Sequence, residues 1–584
     1  MPDESKTQSN DSRREFALGL VVIAALIFAV FWPAMHSPLA FDDLASVRYV
    51  KSFQSWTNAL GHDVCQLFRP VKNLEVFLIL KAGGALLLWH LVNLAAYAAA
   101  AAGVATLVRR LTYSTRWGLA GGALWAFSAT GVTVAVWASC FNISVAIAAA
   151  TCAVAIHARN AERDRGYGWQ IAAAVCWLLS LFSYETAVAA APLIVLLDWF
   201  MGRRVFSKEA LIRYGFFGIV GVCWMILRLK SGAETQGLGN NPGLPPDMPR
   251  WQLAVSAPYF LWTHLLMWAA PSGRIEFLSS YVWNTSVPAV VHPFCWLMLI
   301  GVVLAIVGLK KRSPLAAFGL AWFIVGSIPS GNFVPLGNTP FADYYVPFPS
   351  VGLVIVLVVW VRALWALRHD DALEVRSRQI AMGMAVALIA ARAAQLPTLW
   401  SWIDFWKTPT IAISEAYKVR PAQFLAGSLI ATAMFECGEY ELAEKYASEA
   451  ARDAPHLAAP RLVLGDCAIK KGHREEAIAH FEAARSLMAM DTQTATYCQL
   501  RLAELYGQDK AEFTHAMDLL MPVLKQSDSA YHEEAVITAV DALELNGLHD
   551  KAVINARKGL TFHPTSAGLK SRLDKLTAAS PGPP

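Results

Sequence analysis

The sequence predicts an all-α protein in two parts: a polytopic transmembrane helix bundle of about eleven spans, then an α-solenoid of short helical repeats. Three observations predict this. Hydrophobic residues make up 56% of the 584 residues and charged residues only 16%, with a mean hydropathy of +0.40, whereas a typical soluble domain is about 25% charged. Apolar runs of the ~18 residues that a bilayer span needs recur between residues 17 and 395 and then cease. Beyond them the chain turns polar and repeats itself every 34 residues.

The spans expected from the apolar runs are 17–35, 86–108, 117–137, 142–158, 168–183, 187–201, 213–229, 291–309, 314–330, 349–367 and 378–395. The first is about twenty residues long, has no small-residue cleavage site and is followed by more spans, so it reads as a membrane helix and not as a cleaved signal. The expected organisation is a cytoplasmic tail (1–16), the membrane domain (17–400), a linker (401–421), the repeats (422–576) and a disordered tail (577–584). Lys and Arg in short loops set orientation. With the N-terminus inside, every second loop is basic: Arg109, Arg110 and Arg116; Arg159, Arg163 and Arg165; Arg203, Arg204 and Lys208; Lys310, Lys311 and Arg312; Arg368, Arg376 and Arg378. Eleven spans then place the repeats on the extracytoplasmic side. The aromatic segment 254–272, with His264, reads as an interfacial helix in an outer loop, because a twelfth span there would break the charge pattern.

The tail carries Gly438 and Gly472 at a spacing of 34, Ala443 with Ala477, and Ala450 with Ala484; Gly547, Ala552 and Pro564 recreate the offsets of Gly438, Ala443 and Pro455. A more irregular unit lies between, around Leu505–Leu524. Two helices meeting at a glycine, packed through small alanines and stacked at this period, resemble tetratricopeptide repeats, which bind protein partners. The net charge of +5 is scattered over short loops and points to no nucleic acid. The nine cysteines form no CxxC pair and no Cys/His cluster, so neither a disulfide framework nor a zinc site is expected.

Ionisable residues at span edges are functional candidates. Asp42 and Asp43 follow span one, Arg69 lies in the same outer loop, Glu185 separates spans five and six, Arg228 ends span seven and Asp343 precedes span ten. On the expected topology all six lie on the outer face. A carboxylate can act there as general base on an acceptor hydroxyl, and an arginine can hold a departing phosphate through paired charge-assisted hydrogen bonds. Each also has a plain structural reading: a helix cap for Asp42 and Asp43, a helix end for Glu185, a headgroup anchor for Arg69, an interfacial core residue for His90, and an ion pair with Arg228 or Arg392 for Asp343. The adjacent carboxylates Asp42 and Asp43 are compatible with a divalent cation but fall short of a full site, so no metal ligand set is assigned.

The order of motifs carries a resemblance. PLAFDDLASV, FRPVKNLEVF, WHLVNLAAY, SYETAVAAAPLIVLLDW, IPSGNFVPLGN, ADYYVPFPSVGL and WSWIDFW, followed by the repeats, resemble the C-type glycosyltransferase superfamily, most closely the transmembrane-and-tetratricopeptide O-mannosyltransferases and their bacterial relatives. The resemblance implies a polyprenyl-phosphate sugar donor, a protein or glycan acceptor, and a multi-pass protein of a bacterial inner membrane. It implies Asp42 or Asp43 as the catalytic carboxylate, with Asp43 the expected base, and Glu185 as the second acidic residue. It further matches Arg69 to the Arg of the family's RP pair and His90 and Asn93 to its span-two signature, while the span-edge charges themselves make Arg69 and Arg228 the donor-phosphate-binding candidates. The chain departs from the pattern where Tyr184 replaces a Lys, Asp343-Tyr344 replaces an Arg, Tyr97 replaces a His, and SATGVTVAVW lacks both His and Glu. These departures leave a second expectation, a non-catalytic member acting as a repeat-bearing envelope scaffold.

Overall fold

The computed structural model describes residues 4–51, 53, 55–61, 67–163, 166–231, 248–271, 286–333, 341–367, 375–408, 424–487, 492–526 and 531–579. These are helical, and no strand occurs among them. The chain forms two compact units, one of residues 1–43, 60–63 and 67–423, the other of residues 44–59, 64–66 and 424–584.

In the first unit a helix stands at each of the eleven expected positions. Seven are long and apolar enough to cross a membrane, consistent with a membrane protein: Ser12–Ala34, Leu86–Thr112, Ala138–Ala161, Lys208–Lys230, Val291–Arg312, Pro347–Leu367 and Val375–Trp406. The expected span 117–137 is a pair, α6 (Thr115–Ala126) and Ala129–Val136, bent by 68°. The other three positions hold shorter helices: α9 (Tyr167–Ser183), α10 (Ala190–Phe200) and α14 (Pro314–Ser327). At 1.5 Å per residue the last reaches only ~21 Å of a ~30 Å hydrocarbon core. The segment expected to lie at the interface is α12 (Arg250–Ala269).

Small residues set the helix spacing. In lipid, helices associate through close packing, and small residues permit it. A Cβ on Gly122 of α6 would stand 2.7 Å from the Ala105 Cβ of α5 (Leu86–Thr112), and one on Gly352 of α15 (Pro347–Leu367) only 2.2 Å from the Gly319 carbonyl oxygen of α14. The stretch expected as a linker from residue 401 begins as structure instead. There α17 (Leu396–Trp406) buries Trp402, Ile403 and Trp406, and Trp406 stacks on Trp137 with ring centroids 5.7 Å apart. Its aromatic face makes it core. Residues 409–421 of that stretch lie outside the described residues.

Among its described residues the second unit contains four helix pairs: Phe424–Glu436 with Tyr440–Asp453, Ala458–Lys471 with Arg474–Ser486, Thr492–Tyr506 with Phe513–Leu524, and His532–Leu545 with His549–Phe562. A final helix, Ala567–Ala579, runs into the tail expected to be disordered; residues 580–584 lie outside the described residues. Gly472 ends its helix at φ +76 with the Schellman bonds Gly472 N to Ile469 O (3.0 Å) and His473 N to Ala468 O (2.9 Å). Gly438 and Gly547 turn at φ +83 and +74. Ala443, Ala477 and Ala552 are fully buried where paired helices touch. The third pair lacks a positive-φ glycine and uses a six-residue turn, 507–512, which accounts for its irregular spacing. Neighbouring repeats are tied by Tyr497 Oη and Arg501 Nε, both donating to Asp466 (2.7 and 3.2 Å).

Residues 44–59 of the first loop belong to this unit. Arg48 Nη1 donates to Tyr531 Oη at 3.2 Å, and Val50, Phe53 and Ala59 are buried. Two outcomes are expected. Ala477→Trp overpacks the second pair and costs ~1–3 kcal/mol, read as faster hydrogen exchange in 458–486 of the intact protein. A fragment of residues 424–579 is helical by circular dichroism, and adding a peptide of residues 44–61 in trans raises its melting temperature; no rise removes the loop segment from this unit.

Candidate active site in the membrane unit

Arg69 occupies the N-cap of α4 (Pro70–Lys81) in a non-helical conformation, φ −130 and ψ 69. The following proline disfavours helical backbone at Arg69 and supplies the first helical residue, where its missing N–H costs nothing. Glu185 lies where α9 breaks. Tyr184 is extended, and a short 3-10 turn, Glu185–Ala189, leads into α10. The sequence-distant pair meets: Arg69 Nε donates to Oε2 at 3.0 Å and Nη2 to Oε1 at 2.6 Å. Both side chains are largely shielded, and the guanidinium carbon stands 4.6 Å from the Tyr184 ring centroid. Burial pushes the Glu185 carboxyl up, but Arg69, helped by Arg228, outweighs it and holds Glu185 below the ordinary carboxylate range. Arg228 thus faces the pair, rests over Trp224, and has no hydrogen-bond partner at Nη1.

Asp42 and Asp43 open α2 (Asp42–Val50) but face different groups. Asp42 is exposed, and its charge bears on Arg69, Tyr344 and Tyr345. Asp43 is 4% exposed; its Oδ2 accepts from the Ala40 N–H at 3.0 Å. Its Oδ1 makes no hydrogen bond; the Ser139 hydroxyl lies near enough to favour the charge but outside bonding geometry. Burial raises the Asp43 carboxyl to about 6, against the opposing pull of Ala40 N–H, Ser139 and Lys72.

The expected signature residues act one step back from the carboxylate. His90 Nε2 meets the Ser37 carbonyl at 2.8 Å. Asn93 Nδ2 donates to the carbonyls of Val134, Ala135 and Trp137 at 3.2, 2.9 and 3.1 Å. Trp137 Nε1 in turn donates to the Ala40 carbonyl at 3.2 Å. The loop that presents Asp43 is therefore pinned at Ser37 and Ala40. Phe41 takes φ +55, costly for a residue with a Cβ. Its ring is held edge-on to Trp137 and Trp406, 6.1 and 6.5 Å between centroids.

Asp343 is fully buried and accepts from Thr133 Oγ1 and from the Tyr344 N–H, the latter at 2.8 Å. Arg392, one of its expected partners, donates to the Trp268 carbonyl at 2.6 Å and to Ser128 Oγ at 3.2 Å. Tyr184 and Tyr344, which stand where the resemblance leads one to expect cations, line a common cavity with Tyr345, Ile143 and Ser330. Its volume of about 10 Å³ is that of a single water molecule. Burial pushes both hydroxyls well above their ordinary range, so they stay neutral. Among the described residues no group of three or more His, Cys, Asp or Glu is placed to hold a metal ion.

Sequence reasoning missed Lys72, Glu75, Thr133, Ser139 and Tyr345. Lys72 and Glu75 were signalled by their three-residue spacing after Pro70, which puts both on one side of α4; each is buried. Removing Arg69 alone strands a buried carboxylate. Arg69→Met is expected to cost ~3–5 kcal/mol, and Arg69→Met with Glu185→Met to recover most of it. Because Glu185 is depressed in the folded state, the pair's contribution is present above the ordinary carboxylate pKa and lost as pH falls through the lowered one. Thermal unfolding in lipid nanodiscs against pH reads both effects.

No family model matches the chain, and no curated protein sequence matches it. Solved structures similar to it include the tetratricopeptide domain of P58(IPK), at 13% identity and a TM-score of 0.19 over 73% of this chain and 97% of that one. Another is the Cut9–Hcn1 hetero-tetramer of APC/C, at 14% identity and a TM-score of 0.28 over 87% and 96%. The repeat architecture rests on the chain's own helix pairs, glycine turns and buried alanines.

Proposed function

We propose that the membrane unit is a glycosyltransferase that moves a sugar from a polyprenyl-phosphate donor to an acceptor hydroxyl on the extracytoplasmic side, and that the repeats bind the acceptor or another protein. The reading is carried by the convergence of Asp42, Arg69, Tyr184, Glu185, Tyr344 and Tyr345, from four separate stretches, around one buried ion pair. The loop charges support the side of the membrane, and the order of motifs supports the reaction class. Asp43 takes the acceptor hydroxyl proton. The acceptor oxygen then forms a bond to the anomeric carbon as the bond from that carbon to the phosphate oxygen breaks, with inversion. Polyprenyl phosphate leaves as an anion, and Arg228, with a free Nη1, is the cation available to receive it. Arg69 is engaged by Glu185 and holds the site's shape.

A second reading, a non-catalytic scaffold, is favoured by one observation: the cavity beside the pair has room for a water molecule only. The test is transfer of labelled sugar from polyprenyl-phosphate donors in proteoliposomes. Asp43→Asn is expected to lower the rate by ~10²–10⁴ with insertion unchanged. The base must be unprotonated, so wild-type activity rises with pH through about 6, the Asp43 value. Wild-type rates in both Asp42→Asn and Asp43→Asn would reject the mechanism, and a wild type inactive with every donor would favour the scaffold.

A further inference from the structure

Helix α4 carries three polar residues into the interior: Lys72, Asn73 and Glu75, at 9%, 2% and 6% exposure. Glu75 is the anomaly. Neither carboxyl oxygen has a hydrogen-bond partner, a costly state for a buried charge. The groups that bear on it are Lys72 from its own helix and Asp43 from the start of α2. The helices packed on α4 are α8 (Phe141–Arg163) and α9, and among the described residues they bring no titratable side chain to bear on it. Asp42 adds its charge next to Asp43, and Cys140, just before α8, lies within electrostatic reach of Lys72, Asp43, Asp42 and Asp343.

Lys72, Asp43 and Glu75 are therefore a buried cluster of one ammonium and two carboxyls. Fully ionised, it holds an uncompensated negative charge in a shielded site; with one proton added it is neutral. Geometry decides where that proton resides. Asp43 has the Ala40 N–H directed at Oδ2, a bond that favours a carboxylate. Glu75 has no donor at either oxygen. The proton settles on Glu75, and the Lys72 ammonium is left to Asp43.

We propose that Glu75 is a buried carboxylic acid, protonated in the working protein, and that with Lys72 it is a positioning residue that keeps Asp43 in its charged form. Ionised, Glu75 would compete for Lys72 and repel Asp43; neutral, it does neither. Burial pushes its carboxyl well above the ordinary range, with Lys72 opposing and Asp43 reinforcing the rise. The arrangement parallels other buried carboxyl pairs whose surroundings separate their titrations.

The protonation itself is testable without any assumption about catalysis; only the effect on transfer rests on the glycosyltransferase reading. Infrared spectra of the full chain in lipid vesicles, unlabelled and with ¹³C-glutamate, isolate protonated glutamate, and no other glutamate among the described residues is as deeply buried. An isotope-shifted carboxylic acid band is expected at neutral pH, weakened in Asp43→Asn, which leaves Lys72 to pair with Glu75, and absent in Glu75→Gln. A wild type without such a band, or a band that survives Glu75→Gln, overturns the proposal, and the wild-type measurement decides even if the variant does not insert. In the transfer assay, Lys72→Met is expected to move the acid limb of the pH profile up by about one to three units. An unmoved limb with normal activity would overturn the positioning role. A wild type that transfers no sugar yet shows the band would refute the function while leaving the protonated Glu75 intact.

Discussion

The Arg69–Glu185 pair is the constraint on which the membrane unit's site depends. Neither charge survives burial alone, so wherever one goes the other must follow. Their meeting requires the break between α9 and α10, because an unbroken helix would carry Glu185 away from the N-cap of α4. It also requires Pro70, which ends the non-helical approach of the chain and starts α4 in one step. The three tyrosines then close around the pair. Their rings and neutral hydroxyls shield it without adding a charge that would need its own partner.

Apolar run length located a helix at every expected span, because a segment that cannot meet water must satisfy its backbone internally. It could not foresee which helices would be short or bent. Those lengths depend on neighbours: α14 can be 14 residues because its glycines let it sink against α15. The repeats were legible for a different reason. Gly438, Gly472 and Gly547 recur because a left-handed turn recurs, and that demand is local to a few residues. The third pair solves the same turn with a longer loop and so leaves a weaker trace.

The site was legible by residue type but not by pairing. Asp42, Asp43, Arg69 and Glu185 stood out as charges at span edges. That Asp42 faces the ion pair while Asp43 faces Lys72 and Ser139 depends on the Phe41 backbone, which sequence pattern does not encode. Glu75 was hidden within a motif whose arginine drew attention first. A second buried network was missed altogether: His157 Nε2 meets Asp198 Oδ2 at 3.0 Å, with Arg203 and Tyr214 also donating to Asp198 at 2.6 and 2.8 Å. Its members looked like ordinary loop and helix-end residues, and only their burial in three dimensions gives them away.

The bend between α6 and its continuation imposes an order on assembly. A helix broken within a membrane frees carbonyls that lipid cannot satisfy. Here α5 captures them: Tyr97 Oη donates to the Ala126 carbonyl at 2.8 Å, and the Asn93 amide serves those on the far side. The donors are thus synthesised before the acceptors that need them, since α5 leaves the ribosome first. A chain emerging from its N-terminus never has to hold the bent segment in lipid without its partner, whereas a circularly permuted chain beginning at α6 would present those carbonyls to hydrocarbon for as long as α5 remained unmade.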